Sequence, residues 1–463
     1  MNVVPHPLRV LLCLALLSGA AACNSPSTHT DQQPQALAPE PAPAAPVNPA
    51  APSEPAQDDK AAEEEPVADV IAPEEAPAEE TQDDGQREGL IKWVDLEKPA
   101  MVVRDAPTKK GERVGTVRRG RSFPVYEYKD GPGCKAQWAR VGPGWVCSDH
   151  FVDADGPPEK TSPLPFTYGI VYKDTEIFMG PHKHMGTGKI RKARSTVTIL
   201  ETTNRWVRTW PDQWLDKHVV APREVRTSSL QGEHITEDTV FPLAFVRRNH
   251  TVGYPEPGLS KGEKRRVADD QKNPINRFTR TPVLEIHPKN SRRGGSHVRL
   301  EGGWVDRHQV GIVEPRPRPR GVGEDERWVL VDISEQTLVA YEGDKMVYAT
   351  LISTGAGKSG PEAFTPVGKW RIHTKLRSSR MAGGSGASYH FLSDVPWVQY
   401  YYGGYALHGV YWHNSFGWQT SQGCINLVAH DAQWVFNWTG PHVPEGWYSF
   451  VQRGTGSWIV VVK

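Results

Sequence analysis

Thr420-Ser421-Gln422-Gly423-Cys424-Ile425-Asn426 sets a cysteine beside a glycine, sixteen positions after His408-Gly409. A free thiol, with a pKa of about 8.5, is only a few per cent thiolate at neutral pH, so a nearby imidazole that takes its proton makes it a useful nucleophile. Gly423 lets the backbone approach a substrate closely, and Ser421, Gln422 and Asn426 offer hydrogen bonds around a small site. His413, in Tyr411-Trp412-His413-Asn414, lies nearer to Cys424 and is the alternative base; as a lining residue it would instead orient a neighbour. Trp397 and Tyr400, in Val395-Pro396-Trp397-Val398-Gln399-Tyr400, are read as an apolar wall for a substrate or as core. Arg377 and Arg380 could meet a carboxylate or simply be solvated.

The residues upstream of this site are rich in strand signals. Trp328-Val329-Leu330-Val331-Asp332-Ile333 and Gln336-Thr337-Leu338-Val339-Ala340-Tyr341 predict two strands with a tight turn, and residues 346–353 predict a third. Thr354-Gly355, Thr365-Pro366-Val367-Gly368-Lys369-Trp370 and a glycine-rich stretch at 382–388 follow, and a helix is expected over Ala429–Trp438. Taken together, residues 327–463 resemble the L,D-transpeptidase (YkuD-type) catalytic domain: the opening strand and glutamine turn, Thr365-Pro366-Val367-Gly368, His408-Gly409, and Ser421-x-Gly423-Cys424-x-Asn426 occur in the family's order.

The resemblance implies a β-rich fold and a reaction on diaminopimelate-containing peptidoglycan stem peptides, with no metal and no organic cofactor. Cys424 would be the nucleophile, His408 the base, and the Gly409 carbonyl the group that orients His408. The backbone N–H groups of Gly423 and Cys424 would stabilise an oxyanion. The resemblance favours His408 over His413, because His408 directly precedes the small residue of the motif. Gln422 stands where many members have histidine, which implies altered acceptor use. The acceptor stays open among the amine of a second stem (a 3-3 cross-link), an outer-membrane protein and water (carboxypeptidase action). An inactive wall-binding lipoprotein is a further alternative. A cell-wall cysteine endopeptidase is disfavoured, since those enzymes carry cysteine before histidine.

The chain has 463 residues and no formal net charge, but that balance hides an asymmetry. Residues 24–89 carry 16 acidic and 2 basic side chains, and the body beyond them is correspondingly basic. Dispersed basic residues of this kind read as solubilising, and no nucleic-acid partner is expected. Residues 24–89, dominated by Pro, Ala, Glu, Asp and Gln, cannot bury enough apolar surface to order themselves and read as a disordered tether with an extended reach of roughly 200 Å. Ahead of it, Arg9, the apolar run 10–17 and Ser18-Gly19-Ala20-Ala21-Ala22-Cys23 read as a secretory signal over residues 1–23. The small residues before Cys23 resemble a lipoprotein processing site, which implies lipidation of Cys23 and anchoring in a periplasm, with the outer membrane favoured. Export is compatible with a disulfide between Cys134 and Cys147 and a free thiol at Cys424; no spacing fits a zinc site, and His182 and His184 read as a surface loop.

Between tether and catalytic region, three segments end alike: Trp145-Val146 then Phe151-Val152, Trp214-Leu215 then Val219-Val220, and Trp304-Val305 then Val310. This divergent repeat, with short alternating strands upstream, resembles bacterial SH3-like barrels at 90–157 and 163–225, with a third, divergent copy at 226–314. The tryptophans are expected in the barrel cores. Residues 315–326, opening Pro315-Arg316-Pro317-Arg318-Pro319-Arg320-Gly321, read as a stiff linker. The predicted fold class is mainly β: two or three small barrels, then the β-rich catalytic domain.

Overall fold

A computed structural model describes residues 88–160, 166–210, 212–223, 231–270, 274–287, 296–357, 360–383 and 390–463. The expected signal, Cys23, nearly all of the tether and most of the glycine-rich stretch lie outside the described residues. The described chain is mainly β, as its alternating patterns predict. Among the described residues, no helix is long and apolar enough to cross a membrane.

The repeat read from the sequence has one structural meaning at each occurrence. A strand (Trp145–Cys147, Gln213–Asp216, Gly303–Asp306) runs into a three-residue 3-10 turn (Ser148–His150, Lys217–Val219, Arg307–Gln309) and then a closing strand (Phe151–Ala154, Val220–Arg223, Val310–Val313). Each closing strand pairs antiparallel with an early strand of its module: Lys92–Leu96, Thr167–Val171 and Leu243–Val246. Side chains alternate along a strand, so in the first two Trp-aliphatic pairs the aliphatic residue enters the core and the tryptophan turns toward the surface. The expectation for the tryptophans is corrected for two of the three repeats: Val146, Leu215 and Val305 are fully buried, while Trp145 and Trp214 remain part-exposed; Trp304 is buried at 8% exposure beside Val305, as expected. Cys134 and Cys147 form a disulfide with Cα atoms 5.5 Å apart. The third module also holds a helix, Lys261–Asp270, that the strand reading missed; its local signal is the capping box Ser260-x-x-Glu263, in which Ser260 N donates to Glu263 Oε2 at 2.8 Å.

Two sheets build the C-terminal domain. One has six strands in the order Glu233–His234, Lys345–Leu351, Thr337–Glu342, Arg327–Asp332, Trp458–Val462, Gly368–Arg371. Its central strands are apolar on both faces because both faces are covered. Val329, Val331, Leu338 and Ala340 pack with Trp397, Leu407, Ile425 and the helix Ala429–Trp438, while Trp328, Leu330, Val339 and Tyr341 pack with Leu243, Phe245 and Val313 of the third module. Glu233–His234, within the range read as the third module, is an edge strand of this sheet, and Gln231 N donates to the buried Asp431 of the helix at 2.9 Å.

The other sheet has ten strands and ignores the module boundary. It runs Ile425–Leu427, Tyr405–Gly409, His390–Tyr402, Thr374–Gly383, Trp447–Val451 and continues directly into Arg113–Arg118 and four more strands of the first module. At the seam, Thr116 Oγ1 and Ser449 Oγ share a hydrogen bond of 2.6 Å, and Trp447 is fully buried in the first module's core with its Nε1 donating to Val141 O at 2.8 Å. Gly115 permits this close crossing, since a Cβ there would stand 2.4 Å from Ser449 O and 2.6 Å from the Trp447 ring. Residues 315–326 have no regular structure, yet they lie along the catalytic sheet: Arg316 N donates to Tyr341 OH at 3.1 Å, and Val322 is buried beside Trp328.

Candidate active site

Two short parallel strands bring the chemistry together. Tyr405–Gly409 pairs with Ile425–Leu427 in the register Leu407 to Ile425, His408 to Asn426 and Gly409 to Leu427. Leu407, Ile425 and Leu427 face the main core, so Ala406, His408, Cys424 and Asn426 fall on the opposite face, where Cys424 packs beside Ala406, Val398, Tyr400 and Trp412. The sequence separation of sixteen residues is thereby closed by a parallel pairing whose crossover is the loop 410–422.

His408 is 2% exposed, and its Nδ1 lies 3.0 Å from Gly409 O. A carbonyl can only accept, so Nδ1 carries the proton and Nε2 presents its lone pair. Burial lowers the His408 pKa to about 4 against the opposing effect of the Gly409 carbonyl. Burial also raises the half-buried Cys424 thiol to about 11, opposed by the Ala406 N–H. The resting pair at neutral pH is therefore a neutral imidazole and a protonated thiol. Burial, then the proximity of Cys424, raises the phenols of Tyr400 and Tyr401 above their ordinary range, which keeps them neutral beside the sulfur.

Linkage turns the histidine shift into a measurable effect. Between pH 6.5 and 4 the unfolded chain binds a proton at residue 408 that the folded chain does not, so this contribution is present above pH 6.5 and lost as pH falls through the window. Going from pH 7.5 to 5, the wild type is expected to lose about 2 kcal/mol more stability in urea titrations than His408→Gln. Equal losses in both proteins would contradict a buried neutral imidazole.

His413 is held differently. Its Nδ1 accepts from Ser415 N at 3.1 Å, and its Nε2 lies 2.8 Å from Nδ2 of the Asn426 side-chain amide. Both ring nitrogens of His413 thus already have neighbours within the protein, and Asn426, 3% exposed, contacts His413. Ser421 is likewise a brace: its hydroxyl donates to Cys424 O at 2.5 Å and accepts from Gly423 N at 3.2 Å. That contact commits the Gly423 N–H and corrects the expectation of a pair of oxyanion donors at Gly423 and Cys424. Gly423 takes φ 115°, in the region that favours glycine, and Gln422 is buried at 8% exposure. Trp397 is corrected outright: with 0% exposure it packs against Phe436 on the core face, away from the thiol, and walls no substrate. Tyr400 does lie at the thiol. Arg377 is buried and donates through Nε to Trp447 O at 2.9 Å, whereas Arg380 is exposed.

Several braces escaped the residue-by-residue reading. Thr365 Oγ1 donates to Gly423 O and accepts from Gly355 N, each at 2.9 Å, so the Thr-Pro-x-Gly motif supports the nucleophile turn. Gln336 closes a ring with Thr354, accepting from its backbone N at 2.9 Å and donating to its Oγ1 at 2.6 Å. The motif positions signalled these residues without showing what they touch. A large cleft of about 1120 Å3 lies between the first module and the catalytic domain, but neither His408 nor Cys424 lines it, and its Arg140 and Arg371 are paired with Glu127 and Glu326.

Residues 326–461 match the YkuD family, the L,D-transpeptidase catalytic domain. No curated protein matches the chain. Similar solved structures include the L,D-transpeptidase (residues 123–326) from Xylanimonas cellulosilytica DSM 15894, at 23% identity over 33% of this chain and 72% of that one, TM-score 0.23. The catalytic domain of the E. faecium L,D-transpeptidase is 22% identical over 31% of this chain and 100% of that one, TM-score 0.23. The L,D-transpeptidase from Mycobacterium smegmatis is 16% identical over 53% and 90%, TM-score 0.24. The family match supports a peptidoglycan-modifying function for residues 326–461.

Proposed function

We propose that the protein is a peptidoglycan L,D-transpeptidase that works through a Cys424 acyl-enzyme. The observation that carries this reading is the shared face of the parallel pair, with Nδ1 of His408 held at Gly409 O and Nε2 presented as the acceptor. Because thiol and imidazole both rest neutral, the proton passes from sulfur to Nε2 as the sulfur attacks the diaminopimelate carbonyl of a tetrapeptide stem. The imidazolium then protonates the leaving amine, D-alanine departs, and the thioester is resolved by an amine of a second stem to give a 3-3 cross-link. With the Gly423 N–H committed to Ser421, the Cys424 N–H is the backbone group assigned to the tetrahedral oxyanion.

Incubating the protein with a disaccharide tetrapeptide, with intact mass and product chromatography as readouts, tests this reading. A thioester adduct on Cys424 together with a dimer joined between two diaminopimelates is expected. Tripeptide alone would replace the cross-linking assignment with carboxypeptidase action or a protein acceptor, and no adduct would remove the acyl-enzyme.

A further inference from the structure

Residues 410–422 have no regular element of their own, yet they join the base to the nucleophile, so their shape depends on what they pack against. Some of that support is internal: Gly417 N donates to Ile352 O at 2.7 Å, and Ser353 Oγ donates to Trp418 O at 2.7 Å. The Tyr411 hydroxyl also donates to Ser393 O at 2.6 Å, and further support comes from outside residues 326–461. Tyr168 of the second module, fully buried, stacks on Tyr411 at 3.7 Å and 16°, and its hydroxyl donates to Asp394 O at 2.8 Å. Thr196 Oγ1 meets Tyr411 OH at 2.6 Å. The next residue, Trp412, packs edge-on against Tyr411 at 5.1 Å and lies 5.8 Å from the His408 ring. On the other side, Arg277 of the third module donates through Nη2 to Phe416 O at 2.9 Å, and Arg247 and Arg248 lie over the Trp418 ring at 5.7 and 4.8 Å.

We propose that the second and third modules are working parts of the active site, with Tyr168 and Arg277 as positioning residues that clamp the loop between His408 and Cys424. The inference rests on the function proposed above. Gly409 O fixes one nitrogen of His408, but the ring also needs a wall, and Trp412 supplies it only while Tyr411 is pinned. A shift of about 1 Å in a reacting group can cost about 100-fold in rate.

The test uses the full chain with Tyr168→Ala, Tyr168→Phe, Arg277→Met and His408→Ala. It reads kcat and KM on the disaccharide tetrapeptide and the pH profile of Cys424 alkylation by iodoacetamide. Tyr168→Ala is expected to lower kcat by about 10- to 100-fold with KM within about 3-fold, and Arg277→Met to lower kcat by about 10-fold. Tyr168→Phe keeps the stacked ring and should return kcat to within about 3-fold of wild type. The alkylation profile of Tyr168→Ala should shift toward that of His408→Ala, which reports a thiol without its base. Should Tyr168→Ala fail to fold by circular dichroism, Arg277→Met decides. Wild-type kcat and an unshifted profile in the clamp variants, while His408→Ala is impaired, would overturn the clamp alone. An unimpaired His408→Ala would overturn the base assignment and the clamp with it.

Discussion

Cys424→Ala is expected to abolish acyl transfer, with no covalent adduct after incubation with a carbapenem or a tetrapeptide stem and turnover reduced by roughly 10,000-fold or more. No other group replaces the sulfur: the adjoining phenols of Tyr400 and Tyr401 are kept protonated by burial and are poor nucleophiles in that state. The fold should survive, because the lost side chain is small and only half-buried, at a cost of about 1 to 2 kcal/mol. His408→Ala is expected to be slower by about 1,000-fold, since a thiol with a pKa of about 11 is almost wholly protonated at neutral pH and relies on Nε2. Turnover persisting in folded Cys424→Ala protein would eliminate the mechanism.

The second large effect concerns the junction where two modules meet the catalytic hairpin of Thr374–Gly383 and His390–Tyr402. Asp394 is 5% exposed, and its carboxylate accepts from Arg118 Nη1 at 3.1 Å, Ser378 Oγ at 2.9 Å and Ser393 Oγ at 3.1 Å, as well as from Thr198 Oγ1. Arg118 comes from the first module and Thr198 from the second, so one carboxylate ties three parts of the chain together. Asp394→Ala leaves a buried guanidinium and several hydroxyls without their acceptor, and a loss of about 3 to 5 kcal/mol in urea unfolding is expected. Adding Arg118→Met to that variant should recover part of the loss, because the uncompensated charge goes with it. Additive losses in the double variant would show that the pair is not coupled. The Arg118 side chain also lies 3.5 Å from the centre of the Trp210 ring, so its stem and face are packed as well as its charge.

The local sequence was informative wherever chemistry or periodicity acts over a few residues. The apolar strand runs along 328–333 and 336–341, the helix at Ala429–Trp438 and the three Trp-aliphatic repeats each correspond to a defined element. The assignment of Trp397 failed for a physical reason. A large aromatic near a motif looks the same whether its strand turns it toward the site or the core, and here it takes φ 58° and packs in the core. Ser421 and Asn426 failed similarly, because a hydrogen-bonding side chain does not reveal whether its partner will be a ligand or the protein's own backbone.

The nomination of Cys424 and the His408-Gly409 pair, and the β-rich class of residues 327–463, came from the sequence alone, since residue type, spacing and runs of strand-forming residues are local properties. The parallel register that puts the candidate nucleophile and base on one face and the ten-stranded sheet through Gly115 and Ser449 were decided by tertiary structure. These depend on contacts between residues that the chain separates by tens to hundreds of positions. Only the closing of the strands and the exclusion of water from the packed core determine which of the available donors, acceptors and rings meet.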